Sequence, residues 1–591
     1  MSDPTYRFGP LMDEGGRVRF RLYAPDVSSV ALALEGGARL AMEPSENGFF
    51  TVDAEGPRPG SQYRFLVGDQ MVPDPASRGQ ADDADGWSVL VAPARPRPFT
   101  SRPWHEAIIA EVHVGTATPE GTFRALIDRL DHYRDAGFTV IELLPVADFM
   151  GKRNWGYDGV LLYAPDTAYG TPDDLRALID AAHERGLGMM LDVVYNHFGP
   201  SGNYLPTYAK SFFREDISTP WGPAIDLENE TVRAFFTENA AYWLREFGFD
   251  GLRFDAVHAL ATDGVETFLR ELAASCRAAK PDAWLVLENH DNTAGWMTRD
   301  DGLYDAQWND DWHHVFHVLG SGETHGYYAP YASDAPAGAA RALAEGFVFQ
   351  GEAYPGPDGE PRGEVSTGLP PDAFVTFVQN HDHVGNRALG DRLAGTVEHD
   401  RLAFLRFVLM LSPGVPLLFM GEEALLSKPF PFFCDFEGDL AEAVRKGRRS
   451  EFPDFFRDHD KNEFPDPLNE ETFRSATIHA EDFDEPQAQE ALAAFRSLAD
   501  LRRDHIWPIA GTGWIDGRAS RQNNVVAVAW HFKGGTLFMV LNPAATRGII
   551  HQPAGTEGIA PAASVGEVTA DDAANLTLAP FSAAFWSLRT P

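Results

Sequence analysis

Between residues 105 and 505 the chain repeats one pattern eight times, a short apolar run followed in most cases by a stretch with apolar residues at helical spacing. The runs are "AIIAEVHVG" (107–115), "FTVIELLPV" (138–146), "GLGMMLDVVYNH" (186–197), "FDGLRFDAV" (249–257), "AWLVLEN" (283–289), "AQWNDD" (306–311), "AFVTFVQNHD" (373–382) and "GVPLLFMGEE" (414–423). Between them lie segments such as "TFRALIDRLDHYRDAG" (122–137) and "TPDDLRALIDAAHERG" (171–186), which open near Thr or Asp and close on Gly, as helices do. Strands that are apolar throughout are buried on both faces, which is the situation of a parallel sheet covered by its crossover helices. Eight such units predict an α/β fold, a parallel (β/α)8 TIM barrel with insertions. An open, doubly wound sheet would want a glycine-rich phosphate loop after a strand, and none is present.

The flanks have a different texture. "VRFRLYA" (18–24) and "SVALALE" (29–35) alternate strictly, "SQYRFLV" (61–67) follows, and "APARPRPFTSRPW" (92–104) reads as a linker. After "QEALAAFRSLADLRRDH" (489–505), the last helix candidate, "NVVAVAWHFKGGTLFMVLNP" (524–543) reads as a hairpin turning at Gly534-Gly535. The expected division is an N-terminal β-sandwich over 1–95, a catalytic barrel over 105–505 and a C-terminal β-sandwich over 506–591. Residues 421–485, rich in Phe, Asp and Glu, are expected to form an irregular insertion.

Composition narrows the partners. A net charge of −38 argues against nucleic acid and anionic membranes, both of which attract basic patches, and suits a neutral substrate. Cys276 and Cys434 are the only cysteines, too few for a disulfide framework. "MSDPTYRFGP" lacks the basic and apolar regions of a leader. "FLRFVLMLSPGVPLLFM" (404–420) is interrupted by Arg406, Pro413 and Pro416, and reads as a buried helix, a turn and a buried strand. A cytoplasmic location is expected.

The chemistry should sit where barrel strands end. The third run meets Asp192 and "YNH" (195–197), the fourth carries Arg253, Asp255 and His258, the fifth ends at Glu288, and the seventh ends in "QNHD" (379–382). A single Asp or Asn there more often caps the next helix. Independent capping would not assemble carboxylates, an arginine and histidines on one rim. Arg253 and Asp255 share one strand face, so the arginine is expected to hold Asp255 ionised. Glu288, with less cationic company, is expected to keep its proton. A carboxylate nucleophile beside a carboxylic acid is the machinery of a retaining glycosidase.

"DVVYNH", "GLRFDAVH", "LVLEN" and "FVQNHD" resemble, in order and spacing, four short motifs of the α-amylase superfamily of glycoside hydrolases. That resemblance implies Asp255 as nucleophile, Glu288 as acid/base and Asp382 as a third carboxylate. It places Arg253, His197, His258 and His381 among the substrate contacts, with Tyr157 of "NWGYDG" as a stacking ring and Asp310 and Trp221 as further contacts. "EVHVGTATPEGTF" (111–123) is similar to both branching enzymes and malto-oligosyltrehalose trehalohydrolases. "QWNDDWHHVFHVLGSGETHGYY" (307–328) and "FFCDFEGDLAEAVRKGRRSEF" (432–452) are similar to the trehalohydrolases alone, whereas "ENHDN" (288–292) departs from the acidic residues found there. The resemblance implies hydrolysis of the α-1,4 bond next to the terminal trehalose of a malto-oligosyltrehalose, in functional pairing with the synthase that makes it. It implies no cofactor and no metal, although Asn196 stands where many amylases bind calcium. A branching transferase and a catalytically silent glucan-binding protein are the alternatives. His313 and His317 share a helical face near His314, Asp310 and Asp311, a pattern open to metal, but sugar contact or packing accounts for it more simply. Trp155, Trp221, Tyr327 and Tyr328 are candidates for stacking on sugar rings.

Overall fold

All eight apolar runs become strands of one closed barrel in the computed structural model, which describes residues 6–13, 15–298, 302–355, 359–458, 463–571 and 574–590. Residues 1–5, read above for a leader, and 459–462, within the expected insertion, lie outside the described residues. In chain order the strands are β1 (Ile109–Val112), β2 (Val140–Leu143), β3 (Gly188–Val193), β4 (Gly251–Phe254), β5 (Trp284–Leu287), β6 (Ala306–Trp308), β7 (Phe374–Thr376) and β8 (Val415–Phe419). Every neighbouring pair is parallel, and β1 closes on β8 with Ile109 opposite Leu417.

Alternation along each strand divides the side chains into two sets. One set packs outward against the helices. The other fills the barrel with Ile109, Val140, Met190, Trp284, Val286, Trp308, Val375 and Leu417. Trp284 fits because two neighbours are glycines. A Cβ at Gly188 would stand 2.7 Å from the Trp284 ring, and one at Gly251 would stand 2.6 Å from its carbonyl oxygen. Above this apolar plug the inward positions turn polar, with Glu111, Glu142, Asp192 and Arg253 next in line. The catalytic rim therefore rests on a dry floor.

The segment 171–186 forms the helix Pro172–Glu184, with Thr171 and Asp174 capping each other's backbone groups. The segment 122–137 is broken into Phe123–Ile127 and Leu130–Ala136. The stretch 404–420 forms the end of the helix His399–Leu411 and β8, as expected. No helix among the described residues is long and apolar enough to cross a membrane.

Sheets flank the barrel on both sides. Two lie before it, built around Val18–Tyr23 with Phe49–Ala54 and around Val30–Leu34 with Gln62–Val67. A five-stranded and a three-stranded sheet follow it. The hairpin Val525–Phe532/Gly535–Asn542 pairs Phe532 with Gly535, so its turn is Lys533-Gly534, one residue before the expected pair. Helical backbone runs on from the helix Pro486–Leu501 to Ala510, past the expected end at 505.

The expectation of an irregular 421–485 is corrected. This segment holds the helix Gly438–Glu451 and a shorter one at Glu470–Ser475. The longer helix buries Ala441 and Arg448 and half-buries Leu440, Val444 and Arg445 on one face, with most of its other positions charged and exposed. Ion pairs such as Arg445–Asp466 (2.9 Å) and Arg448–Glu451 (2.5 Å) line it.

Candidate active site

The centre of the site is one guanidinium. Arg253 is fully buried at the end of β4, and Nη1 donates to Asp192 Oδ2 (2.5 Å) and to Asp255 Oδ1 (2.8 Å). Nη2 donates to Glu288 Oε2 (2.6 Å). The Trp308 ring closes the floor 4.0 Å from the guanidinium carbon. Burying this cation costs several kcal/mol without partners, and three carboxylates supply them. The adjacency follows from register, because Asp192 lies opposite Arg253 and Glu288 follows Leu287, the partner of Phe254.

Two nitrogens of one planar fork hold Asp255 and Glu288 side by side. That arrangement is compatible with the ~5–5.5 Å separation of a retaining pair. Ala256 completes the join. It has left-handed backbone (φ 38°, ψ 51°), rare for a residue with a Cβ, and its N–H donates to Glu288 Oε2 (2.8 Å). The kink thus turns the chain out of the barrel just after Asp255 and aims a donor at the second carboxylate. Nothing in the sequence flagged Ala256.

Arg253, expected among the substrate contacts, has no exposed surface here, and both its terminal nitrogens are spent on carboxylates. Glu288 was expected to have little cationic company, yet it shares the guanidinium. Burial pushes its carboxyl up, but Arg253 and the Ala256 N–H outweigh burial and hold it below the usual range. Burial drives Asp255 the other way, well above the usual range, against the pull of Arg253 and with Glu288, Asp192 and Asp382 adding to the rise. Both carboxyls share one guanidinium, so the two titrate as a coupled pair.

Asp382 stands at the edge of this group, its Oδ1 accepting from Asn386 Nδ2 (3.2 Å) and lying 3.5 Å from His381 Nε2. Burial raises its carboxyl, and His381 opposes the rise. The Tyr157 ring stacks on His381 at 5.0 Å, and its hydroxyl donates to Asp192 Oδ2 (2.6 Å). Both nitrogens of His197 meet protein oxygens, Tyr157 O (3.0 Å) and Asn196 Oδ1 (2.6 Å), and burial lowers its pKa to about 4. Trp221, half exposed, stacks on the His197 ring at 4.7 Å. Asn196 Nδ2 also reaches Asp255 Oδ2 (3.4 Å). Asp310 opens the helix Asp310–Ser321, and burial, with Glu288 nearby, raises it to about 7. Exposed His258 accepts from the His290 N–H (3.2 Å) through Nδ1. The structure brings Asp255, Glu288, Asp382, Arg253, His381 and Tyr157 into one cluster, with His197 and Trp221 beside it and Asp310 and His258 on the Glu288 side.

The histidines of the helix Asp310–Ser321 are held by protein oxygens and by one another's rings. His313 Nδ1 meets Val378 O (2.6 Å) and its ring stacks on His383, His314 Nδ1 meets Asp310 O (2.6 Å), and His317 Nε2 meets Glu323 Oε2 (2.9 Å). Asp311 accepts from Asn292 Nδ2 and from the N–H groups of Val348 and Phe349, which ties two loops to the helix Asp310–Ser321. Among the described residues no group of three or more His, Cys, Asp or Glu is disposed to hold a metal ion. Trp155 is buried on Phe430, Tyr328 stacks on His317 (4.0 Å), and Tyr327 stands 82% exposed.

Residues 76–219 match the family described as alpha amylase, catalytic domain. The chain is 38% identical over 513 residues to a malto-oligosyltrehalose trehalohydrolase of Deinococcus radiodurans, covering 85% of this chain and 84% of that protein. It superposes with a TM-score of 0.92 and 42% identity on a crystal structure of a Salmonella typhimurium protein provisionally described as an alpha amylase, covering 99% and 100% of the two chains. A 1,4-alpha-glucan branching enzyme of Mycobacterium bovis is 32% identical over 287 residues, only 42% of this chain and 38% of that protein.

Proposed function

Since the chain belongs to the malto-oligosyltrehalose trehalohydrolases, a family of glycoside hydrolases with the α-amylase barrel, we propose that it cuts the α-1,4 bond next to the terminal trehalose of a malto-oligosyltrehalose with retention of configuration, releasing trehalose and a maltodextrin. One observation carries the mechanism, the guanidinium of Arg253 gripping Asp255 and Glu288 with separate nitrogens. In this reading Asp255 attacks the anomeric carbon while Glu288 protonates the departing oxygen. Water activated by Glu288 then breaks the glycosyl–Asp255 ester. The proton must stand on Glu288 when the attack begins. A sugar entering the cleft displaces water and presents its glycosidic oxygen, an acceptor, to Glu288. That favours the protonated acid there and an ionised Asp255, which Arg253 still holds. Asp382 accepts from ring hydroxyls, and the Tyr157 ring covers one sugar face. The flanking sheets are read as domains over 1–95 and 506–591 that frame the barrel. The protein is read as working in the cytoplasm beside the synthase that supplies its substrate.

The test is one incubation with maltotriosyltrehalose and one with maltopentaose, with products resolved by chromatography. Unpaired polar groups cost ~1–3 kcal/mol each. Two or three such contacts to the trehalose hydroxyls give a preference on the order of 10²-fold or more in kcat/KM for maltotriosyltrehalose. Trehalose and maltotriose are the expected products. Equal rates on maltopentaose would make this a general amylase, and branched products from amylose would make it a transferase.

A further inference from the structure

Two buried glutamates lie below the site and take no part in the chemistry described so far. Glu111 sits on β1 next to its last residue, Glu142 on β2, and the two are direct register partners facing into the barrel, each 1% exposed. Like charges side by side on neighbouring strands repel, and burial sharpens the repulsion. Their surroundings separate them. Glu111 is gripped twice by one residue, Oε1 lying 2.5 Å from His381 Nδ1 and Oε2 accepting from the His381 backbone N–H (2.9 Å). Glu142 has no hydrogen-bond partner on either oxygen, and burial, then Asp192 and Glu111, push it well above the usual range. Glu142 is therefore the neutral member of the pair.

We propose that Glu111 is a positioning residue for the hydrolysis, which from the end of the first strand holds His381 as an imidazolium with Nε2 turned to Asp382. The inference rests on the function proposed above. A neutral imidazole whose Nδ1–H is spent on Glu111 would leave Nε2 as an acceptor, unable to donate to Asp382 or to a sugar hydroxyl. The imidazolium keeps both N–H groups. The charged and titratable groups around the ring are Glu111 on β1, His113 after it, Glu142 on β2, Asp192 on β3, Arg253 on β4, Glu288 after β5, and Asp382 and His383 beside it in the chain. Tyr157, Trp155 and Trp308 rings surround the rest. Burial lowers the His381 pKa, but Asp382 and Glu111 more than offset it and raise it to about 9.

Glu111→Gln keeps the size and an accepting oxygen but deletes the charge. Removing an opposite charge at this range shifts a buried pKa by about 1–3 units, so the alkaline limb of kcat/KM for trehalose release should move that far toward acid. The loss near pH 8 should run from about 2-fold for a one-unit shift to about 10²-fold for three units, and be small near pH 5.5, where the ring stays protonated without help. In a His381→Gln background, Glu111→Gln should move the limb no further. An equal loss at every pH with an unmoved limb would show a merely structural glutamate and overturn the proposal, as would a profile identical to wild type. If Glu111→Gln does not fold, wild-type protein labelled at the histidine nitrogens decides. His381, assigned by its disappearance in His381→Gln, should carry protons on both nitrogens near pH 8, and a neutral ring there overturns the proposal. The labelled-histidine result needs no substrate. Wild type that releases no trehalose sinks the proposed function, whereas an unmoved limb in a protein that does release it sinks only the role of Glu111.

Discussion

Replacing Arg253 with lysine leaves a positive charge under the site and removes the fork. The guanidinium makes three charge-assisted bonds, at 2.5, 2.8 and 2.6 Å, using two nitrogens to hold Asp255 and Glu288 apart. A lysine ammonium is a single point and cannot meet all three in that geometry. Losing one bond to a charged group costs ~1.5–3 kcal/mol, or roughly 10–150-fold. The carboxylate set free shifts, and a displacement near 1 Å costs up to ~10²-fold more. Arg253→Lys should therefore lower kcat by ~10–10⁴-fold. KM should hardly change, because a residue with no exposed surface touches no sugar. Arg253→Met goes further and leaves buried carboxylates unpaired, a loss of ~3–5 kcal/mol in stability at neutral pH. Without the cation, the folded-state pKa values of Asp192, Asp255 and Glu288 lie above their unfolded values. Such groups lend stability below the unfolded pKa and lose it as pH rises through the folded one. The deficit against wild type should accordingly shrink on going from about pH 7 to about pH 5. Steady-state kinetics on maltotriosyltrehalose, with urea denaturation at both pH values, measures all of this. A lysine variant within tenfold of wild type, or one with raised KM and unchanged kcat, would show that Arg253 acts on the sugar and not on the carboxylates.

Further outcomes follow from the same geometry. Asp255→Asn should fold and bind glucan but lose at least ~10³-fold in kcat, and residual activity above a tenth of wild type would remove Asp255 from the nucleophile's role. Gly251→Ala drives a Cβ to 2.6 Å from the Trp284 carbonyl oxygen. It should cost ~1–3 kcal/mol by overpacking, and an unchanged Tm would contradict the packed barrel floor. Ala256→Gly keeps the N–H that Glu288 accepts and relieves the left-handed strain, so activity should persist with stability equal or up to ~1 kcal/mol higher; a loss of activity would mean that the Ala256 methyl has a role of its own.

The barrel was legible because its strands are buried on both faces, which leaves unbroken apolar runs between helical segments. The shared face of Arg253 and Asp255 was legible from the two-residue period of a strand. What the arginine reaches across the barrel was not, since Asp192 and Glu288 arrive through parallel register set by barrel closure. For that reason Glu288 was expected to lack cationic company, when the fork and the Ala256 N–H both reach it. Glu111 and Glu142 lie 31 residues apart in two apolar runs, and only the closed sheet sets them side by side. The helix Gly438–Glu451 was missed because its inward face is short, with Arg448 among its few buried residues, in a segment otherwise rich in charge.

The central claim is that Asp255 forms a covalent glycosyl ester which Glu288 helps to hydrolyse. Glu288→Gln removes the base of the second step but leaves the first open to a substrate with a good leaving group. Incubated with an α-maltosyl fluoride, the full-length variant should accumulate one maltosyl adduct, seen in the intact mass and mapped to Asp255 in the peptide that contains residues 250–260. Azide should release it as the α-glycosyl azide, since a small anion needs no general base. No adduct under these conditions, or an adduct on any other carboxylate, would contradict the assignment.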